Sequence, residues 1–180
     1  VSGQPHAGER TWRNFLKSDL SVDLVHFTIL RPPGKENLVP LAELALIAFP
    51  VRELFEKKIK DFDLIIFDRY LIRDILPPSY LQNVVDYVFA GGAVMLSVGP
   101  EYSGPRSLYN SPLGKILLAR PTGGVFERGF RAELTESGFR HPVTAGLAYF
   151  KRKKIRPGIQ PTWGRWFRQI ETRVLSGETL

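Results

Sequence analysis

The 180-residue sequence contains no cysteine. This absence excludes disulfide bridges, thiolate metal sites and a cysteine nucleophile, whatever compartment the protein occupies. Histidine is also scarce, with three residues in the chain, and no closely spaced pair of histidine or carboxylate ligands marks a metal site. We therefore expect neither a metal centre nor a cofactor.

Long apolar runs are also missing. No stretch approaches the roughly 18 to 20 apolar residues that a bilayer-spanning helix needs, and the first ten residues, VSGQPHAGER, contain no apolar signal core. The glycines between residues 3 and 8 lack the spacing and the Gly-Lys-Ser/Thr ending of a phosphate loop, so a bound nucleotide or flavin has no support. The pattern predicts a soluble domain.

Positive charge is concentrated at one end of the chain. Residues 1–148 hold 17 Lys and Arg against 16 Asp and Glu, whereas residues 149–180 hold 8 against 2. The excess begins with a basic segment and continues into an aromatic stretch that contains Trp163 and Trp166. The basic segment comprises Lys151, Arg152, Lys153, Lys154 and Arg156. Such a pattern can bind an anionic partner, either lipid or nucleic acid, or can simply be a solvated loop.

The clearest structural signal is the stretch from Leu81 to Gly104. Apolar residues recur at helical spacing after Leu81, and the Gly91-Gly92 pair can end the helix. The apolar run Ala93–Val98 then predicts a buried parallel strand, which Gly99 and Pro100 terminate. Ligands of open α/β sheets bind at the carboxyl ends of such strands, so Ser97–Gly104 is the first place to look for a site.

Other segments extend this helix–strand alternation. Leu64–Phe67 predicts a second central strand, Val1–Gly3 the tail of a further one, and Val22–Leu30 another. Helices are expected over Thr11–Lys17 and Arg52–Lys60, with Gln4–Glu9 as a loop, while Leu41–Phe49 is ambiguous between helix and strand. Short links between these elements favour βαβ crossovers and hence a three-layer α/β fold, with a mainly parallel sheet of about five strands and helices on both faces.

The last third of the chain has a different pattern. Ser111–Leu118 predicts a short helix capped by Ser111, with Pro112 as its first residue. Short strands are expected over Val125–Arg128, Phe130–Leu134 and Trp163–Leu175, which together predict a small, partly antiparallel C-terminal extension. We expect one domain over residues 1–180, excised from a longer chain.

Four segments in this order resemble the class I glutamine amidotransferase-like superfamily: DFDLIIFDRY (61–70), GGAVMLSVGPE (91–101), HPVTAGL (141–147) and WGRWFRQ (163–169). The chain is most similar to an uncharacterised bacterial branch, described as glutamine amidotransferases and found inside larger membrane-attached proteins. The resemblance implies a flavodoxin-like domain, attachment to a membrane through the larger protein, and partners among the other domains of that protein or its complex.

The sequence departs from this superfamily at the reactive position. Its enzymes carry a cysteine on a strand-to-helix elbow, where the alignment places Ser97, and the small residue two positions earlier is replaced by Met95. A serine hydroxyl needs a positioned base, unlike a thiol that is partly ionised near neutral pH. The superfamily histidine corresponds to His141, but Val143 and Thr144 stand where its glutamate would follow.

Two functional hypotheses follow, with a third for the basic segment. A non-catalytic module would serve binding or assembly, whereas a hydrolase would use Ser97 with His141 and Glu101. Either would use a crevice at the carboxyl edge of the sheet, formed by His6, Asp68, Ser97, Gly99, Glu101 and Tyr102. The third hypothesis is electrostatic docking of the segment 151–168 to an anionic partner. Each of these residues also has a structural interpretation, for example Ser97 as a small residue that ends a buried strand.

Overall fold

A computed structural model of the chain describes residues 1–29, 50–73, 75–144, 147, 149–150, 153–154 and 163–180. These residues form two compact units, Val1–Leu117 and Leu118–Leu180. Both helices and strands are present, with a small parallel sheet in the first unit and antiparallel pairs in the second. The mixed α/β class predicted from the sequence is therefore confirmed.

The first unit is built around a βαβ crossover. Strand β1 (Leu64–Asp68) pairs in parallel with β2 (Ala93–Ser97), in a register that runs from Leu64 opposite Ala93 to Asp68 opposite Ser97. The connecting helix, which we label α2, spans Pro78–Phe89 and buries Leu81, Val84 and Val85. Gly91 follows it at φ 104°, a conformation that costs glycine little. The helix, the turn and both strands lie where the apolar pattern predicted them. The predicted burial of β2 is wrong, since none of its five residues is buried and Met95 is 37% exposed.

Residues 1–3 extend the parallel pairing on the other side of β1. Ser2 bridges both Thr28 and Asp68 in the parallel sense, and its neighbour Gly3 donates to the Asp68 carbonyl at 2.8 Å. The predicted strand over Val22–Leu30 is reduced to the single bridge at Thr28 within the described residues. The Ser2 N–H donates to the Phe27 carbonyl at 2.8 Å and the Ile29 N–H donates to the Ser2 carbonyl at 2.9 Å on either side of this bridge.

Helix α1 spans Ala7–Lys17 and begins earlier than the sequence suggested. The His6 side chain accepts a hydrogen bond from the Gly8 N–H at 3.2 Å and so caps the helix. Histidine is not among the preferred capping residues, which is why Gln4–Glu9 was wrongly predicted to be entirely loop.

The core of the first unit lies around β1 and α2, with Phe67 and Leu81 each 1% exposed. Phe55 and Ile59 are buried against it, but the segment predicted as a helix over Arg52–Lys60 is not a regular helix. It consists of a π-helical turn over Glu53–Lys57 and a 3-10 turn over Ile59–Asp61. Further 3-10 turns follow β2, at Pro100–Ser103, Leu108–Asn110 and Pro112–Lys115; in the last of these Ser111 is the cap, as predicted.

The described residues of the second unit form four strands in two antiparallel pairs: β3 (Ala119–Phe126), β4 (Tyr149–Phe150), β5 (Lys153–Lys154) and β6 (Gln169–Val174). β3 pairs with β6, and β4 with β5. β3 begins well before the predicted Val125, because a bulge between Pro121 and Val125 accommodates the two glycines there. The predicted strand over Phe130–Leu134 is reduced to a bridge between Phe130 and Trp166.

Several predictions fall on residues outside the described part of the chain. These are the ambiguous stretch Leu41–Phe49, the end of the predicted strand at Leu30, and the basic residues Lys151, Arg152 and Arg156. Within the described ranges, no helix combines the length and apolarity needed to cross a bilayer.

Candidate functional site

The candidate site lies at the carboxyl edge of the parallel strands in the first unit. Asp68 ends β1 and lies opposite Ser97, which ends β2, while His6 precedes α1. The βαβ topology places the ends of both strands at this edge, where open α/β sheets bind ligands. The structure thus brings His6 to Asp68, as the predicted crevice requires.

His6 and Asp68 form a close, largely buried pair. The Nε2 atom of His6 lies 2.6 Å from Oδ2 of Asp68, and the two side chains are 14% and 4% exposed. Because Nδ1 of His6 accepts the Gly8 N–H, the proton of the neutral ring resides on Nε2 and is donated to Asp68. Both ring nitrogens are therefore engaged, and neither is left to accept a proton from a substrate or from Ser97.

Ser2 extends the network to a second histidine. Its buried hydroxyl donates to Oδ2 of Asp68 at 3.3 Å and so accepts from His26 Nε2 at 3.2 Å. Burial lowers the pKa of His26, which keeps this imidazole neutral. Glu9 completes the network, since it accepts from the Thr28 hydroxyl and lies 4.0 Å from His26 Nε2. The chain of hydrogen bonds holds helix α1 and the segment around residue 28 to the end of β1.

One oxygen of Asp68 has acceptor capacity to spare. The residue is 3% exposed, and its Oδ1 atom is buried without a hydrogen-bond partner among the described residues. A buried carboxylate oxygen left unpaired is costly, so such atoms are uncommon away from functional sites. Asp68 is thus the group at this edge that a ligand's N–H or O–H donor would satisfy.

The exit loops of β1 and β2 are joined by an ion pair. Arg69 donates from Nε and Nη2 to the two carboxylate oxygens of Glu101, at 3.1 and 3.2 Å. Arg69 has φ 47°, a left-handed conformation that is unfavourable for residues with a side chain. Gly99 allows the pair to form, because a Cβ there would lie 2.6 Å from Glu101 Oε1 and 2.7 Å from Arg69 Nε. Glu101 is committed to this contact.

Ser97 and Tyr102 occupy the same exit region. Ser97 is half-buried, and its carbonyl accepts the Arg69 N–H at 2.7 Å. Tyr102 is buried, and burial raises the pKa of its phenol to about 12, so it remains protonated at neutral pH. These two residues and Gly99 therefore contribute to the packing of the predicted crevice in the first unit.

His141, the third member of the predicted triad, belongs to the second unit. Its Nδ1 atom accepts the Val143 N–H at 3.2 Å within a local turn, and its carbonyl accepts the Thr144 N–H at 3.1 Å. One ring nitrogen of His141 is thus used within the turn before Pro142, which is the structural role considered for this histidine. The triad remains a prediction.

Other candidate features contribute little to this edge. Among the described residues, no group of three His, Asp or Glu side chains is arranged to hold a metal ion. An apolar pocket lies elsewhere in the first unit, where Val25, Phe27 and Phe62 line it together with the start of β1. Of the basic segment, only the backbone of Lys153 and Lys154 is described, as strand β5.

The sequence-based site lacked four members of the network, Ser2, Glu9, His26 and Thr28, and also Arg69 of the ion pair with Glu101. Ser2 and His26 lie on predicted strands, where alternating residues are ordinarily assigned to packing. The available signal was that Ser2, Asp68 and Ser97 each end a strand predicted to be parallel, so their side chains share one edge.

Comparison with known proteins adds no assignment. We found no family model, no curated protein and no solved structure that matches this chain.

Proposed function

We propose that the chain is a non-catalytic module of the class I glutamine amidotransferase-like kind, which serves binding or assembly in a larger membrane-associated bacterial protein. Its partners would be other domains of the same protein or complex. The proposal rests on the sequence resemblance for the family and on the carboxyl-edge network for the absence of catalysis.

The order of parallel neighbours supports a flavodoxin-like, three-layer arrangement. Thr28, Ser2, β1 and β2 adjoin in that order, which corresponds to second, first, third and fourth segments along the chain. Doubly wound flavodoxin-like sheets begin with the same order, and they bind ligands where that order reverses. Ser2 and Asp68 lie next to this reversal, which is where a bound partner or ligand would be expected.

The observation that carries the proposal is the engagement of both ring nitrogens of His6. A general base for Ser97 needs a nitrogen or carboxylate with a free lone pair within hydrogen-bond reach. However, His6 accepts the Gly8 N–H through the lone pair of Nδ1 and donates its Nε2 proton to Asp68. The two carboxylate oxygens of Glu101 accept from Nε and Nη2 of Arg69. These side chains stabilise the edge of the sheet instead of activating a nucleophile.

The second candidate is a hydrolase or amidotransferase-like enzyme that uses Ser97 in place of the superfamily cysteine. Its specific support is the position of Ser97 at the end of β2, opposite Asp68, on the strand that carries the nucleophile in the superfamily. Activity would require a rearrangement that frees an imidazole.

The two candidates differ in a hydrolysis assay on the purified chain. Glutamine and an activated ester, p-nitrophenyl acetate, serve as substrates, and Ser97→Ala is the matched control. We expect the unmodified chain and Ser97→Ala to give the same background rates of ammonia and nitrophenol release. A rate that Ser97→Ala abolishes, and that His6→Gln or His141→Gln also lowers in a folded protein, would establish the hydrolase and overturn the proposal.

A further inference from the structure

Strands β3 and β6 form a two-stranded ribbon whose register defines its faces. Arg120 lies opposite Arg173, and Phe126 opposite Gln169. Because side chains alternate along a strand, Arg173 and Gln169 share one face of β6, and their partners on β3 lie on the same face. The other face carries Val125 opposite Ile170, both half-buried. The exposed face that contains Arg120 and Arg173 is called the arginine face below.

Apolar residues lie at both ends of the arginine face. Leu175 follows Arg173 by two residues and so lies on the arginine face. Its N–H donates to the Leu118 carbonyl at 2.8 Å, which places Leu118 across from it. At the other end, Phe167 is 69% exposed and Phe126 is 45% exposed. Along its length the face thus presents aliphatic side chains, the arginine pair, then Glu171 and Gln169 on β6, and finally phenylalanines.

Two further arginines lie beside the phenylalanines. The guanidinium of Arg128 lies 6.0 Å above the ring of Phe126. Arg165 and Phe167 lie side by side, since a Cβ built on Gly129 would lie 3.6 Å from both of their side chains. The arginine face therefore carries four exposed arginines, at positions 120, 128, 165 and 173.

These arginines are not neutralised by the carboxylates of the ribbon. The Arg120–Arg173 pair places like charges directly across from each other, which destabilises a two-stranded pair. The Glu171 carboxylate accepts from the Thr122 hydroxyl, and Glu127 pairs with Arg168 at 2.7 Å. Within the part of the chain that the structure describes, none of the four arginines forms an ion pair with a carboxylate.

Charge in the second unit points the same way. Residues 118–180 hold 12 Lys and Arg against 5 Asp and Glu, whereas residues 1–117 hold 13 of each, so the entire net charge of +7 belongs to the second unit. An anion placed on the arginine face would relieve the repulsion between Arg120 and Arg173 and would make charge-assisted hydrogen bonds with their guanidinium groups.

We propose that the arginine face is a docking surface for a bilayer that contains anionic phospholipid. The arginines would bind lipid phosphates, while Leu118, Leu175 and Phe167 would enter the boundary between headgroups and acyl chains. Apolar side chains at both ends of the face favour lipid over a single-stranded nucleic acid. Bases stack on aromatic rings, but Leu118 and Leu175 offer them no such surface. None of these residues belongs to the carboxyl-edge network. The inference nevertheless deepens the proposed membrane association, because it names the surface through which this chain would touch lipid.

The test is flotation of the full 180-residue chain with two kinds of vesicle. One kind is phosphatidylcholine alone, and the other contains about a third phosphatidylglycerol. We expect binding to the anionic vesicles that weakens as salt is raised, and little binding to phosphatidylcholine. Arg120→Gln with Arg173→Gln should lower the affinity by about tenfold or more, because each arginine near an anionic surface contributes to binding. Phe167→Ser should also lower the vesicle affinity. This loss should not depend on salt, because Phe167 contributes through apolar contact and not through charge.

The matched control is Arg10→Gln with Lys17→Gln, which removes the same charge from α1 in the first unit and should leave vesicle affinity within about twofold. Equal losses in the control and ribbon variants would overturn the proposal, as would vesicle binding that is unaffected by either ribbon change. A preference for an oligothymidylate over anionic vesicles would show a nucleic-acid surface and also overturn it. These outcomes leave the absence of Ser97-dependent hydrolysis untouched, so the two proposals can fail separately.

Discussion

The two units of the chain are ordered in different ways. The first unit buries large side chains from β1 and α2, carries no net charge, and fixes its polar groups in hydrogen bonds at one sheet edge. In the second, Gly138 is the sole buried residue among those whose burial is described, and the net charge is +7. A two-stranded ribbon is marginally stable in water by itself. The first unit therefore has a packed hydrophobic core, whereas the ribbon of β3 and β6 has the exposed, charged composition of an interaction surface.

Matched phenylalanine substitutions give the largest expected contrast between the units. Phe67 is 1% exposed and contacts Tyr70 edge-to-face at 5.5 Å between ring centroids, so Phe67→Ala should lower the free energy of unfolding by about 3–5 kcal/mol. Phe167→Ala, on the exposed ribbon, should change it by no more than about 0.5 kcal/mol. Urea denaturation followed by circular dichroism measures both. If Phe67→Ala does not fold, the milder Phe67→Leu provides the comparison, and equal effects at the two positions would contradict this division.

The buried network of the first unit gives the next effect. Asp68→Asn replaces an acceptor of two side-chain hydrogen bonds by an amide, and should lower stability by about 1–3 kcal/mol. The control Asp63→Asn makes the same chemical change at an exposed position just before β1 and should be close to neutral. Thermal and urea denaturation at pH 7 distinguish them. Similar stability of the two variants would mean that the network contributes nothing to holding α1 on β1.

A smaller effect tests the backbone between the two exit loops. Arg69→Gly and Arg69→Ala both remove the ion pair with Glu101, but only glycine adopts φ 47° without strain. Arg69→Gly should therefore be the more stable of the two by about 1 kcal/mol. At the exposed helical position Asp86 in α2, the order should reverse, with alanine more stable than glycine. An alanine variant at 69 as stable as the glycine variant would show that the left-handed turn relaxes freely.

The elements predicted best from the sequence are those with a clear local pattern that pair with a full-length neighbouring strand. The run Leu64–Phe67 and the helix–glycine–strand order after Leu81 give nearly correct bounds, because apolar periodicity and the glycine pair are local signals. Elements that depend on distant partners were less predictable. Within the described residues, the predicted strand that begins at Val22 forms only the bridge between Thr28 and Ser2. β3 starts early because β6 pairs with it across a glycine bulge.

The sequence predicted where the candidate site lies, but it predicted only some of the side-chain contacts within the site. His6, Asp68, Ser97 and Glu101 could be placed near the carboxyl edge from the parallel strands alone. Their partners could not, since the His6–Asp68 and Arg69–Glu101 contacts depend on side-chain geometry between residues far apart in sequence. The arginine face was missed for a similar reason. Its residues lie in two separate segments, and only the register of β3 with β6 aligns Arg120 with Arg173.

In the proposed non-catalytic module, Ser97 at the end of β2 has no activating base. The most direct measurement is the pH dependence of iodoacetamide alkylation in Ser97→Cys, whose thiol is the one cysteine of the chain. We predict a midpoint at or above the ordinary thiol value of about 8.5, because both ring nitrogens of His6 are held in hydrogen bonds and Glu101 is held by Arg69. A midpoint near about 6, shifted upward by His6→Gln or His141→Gln, would reveal an activating histidine and contradict the account.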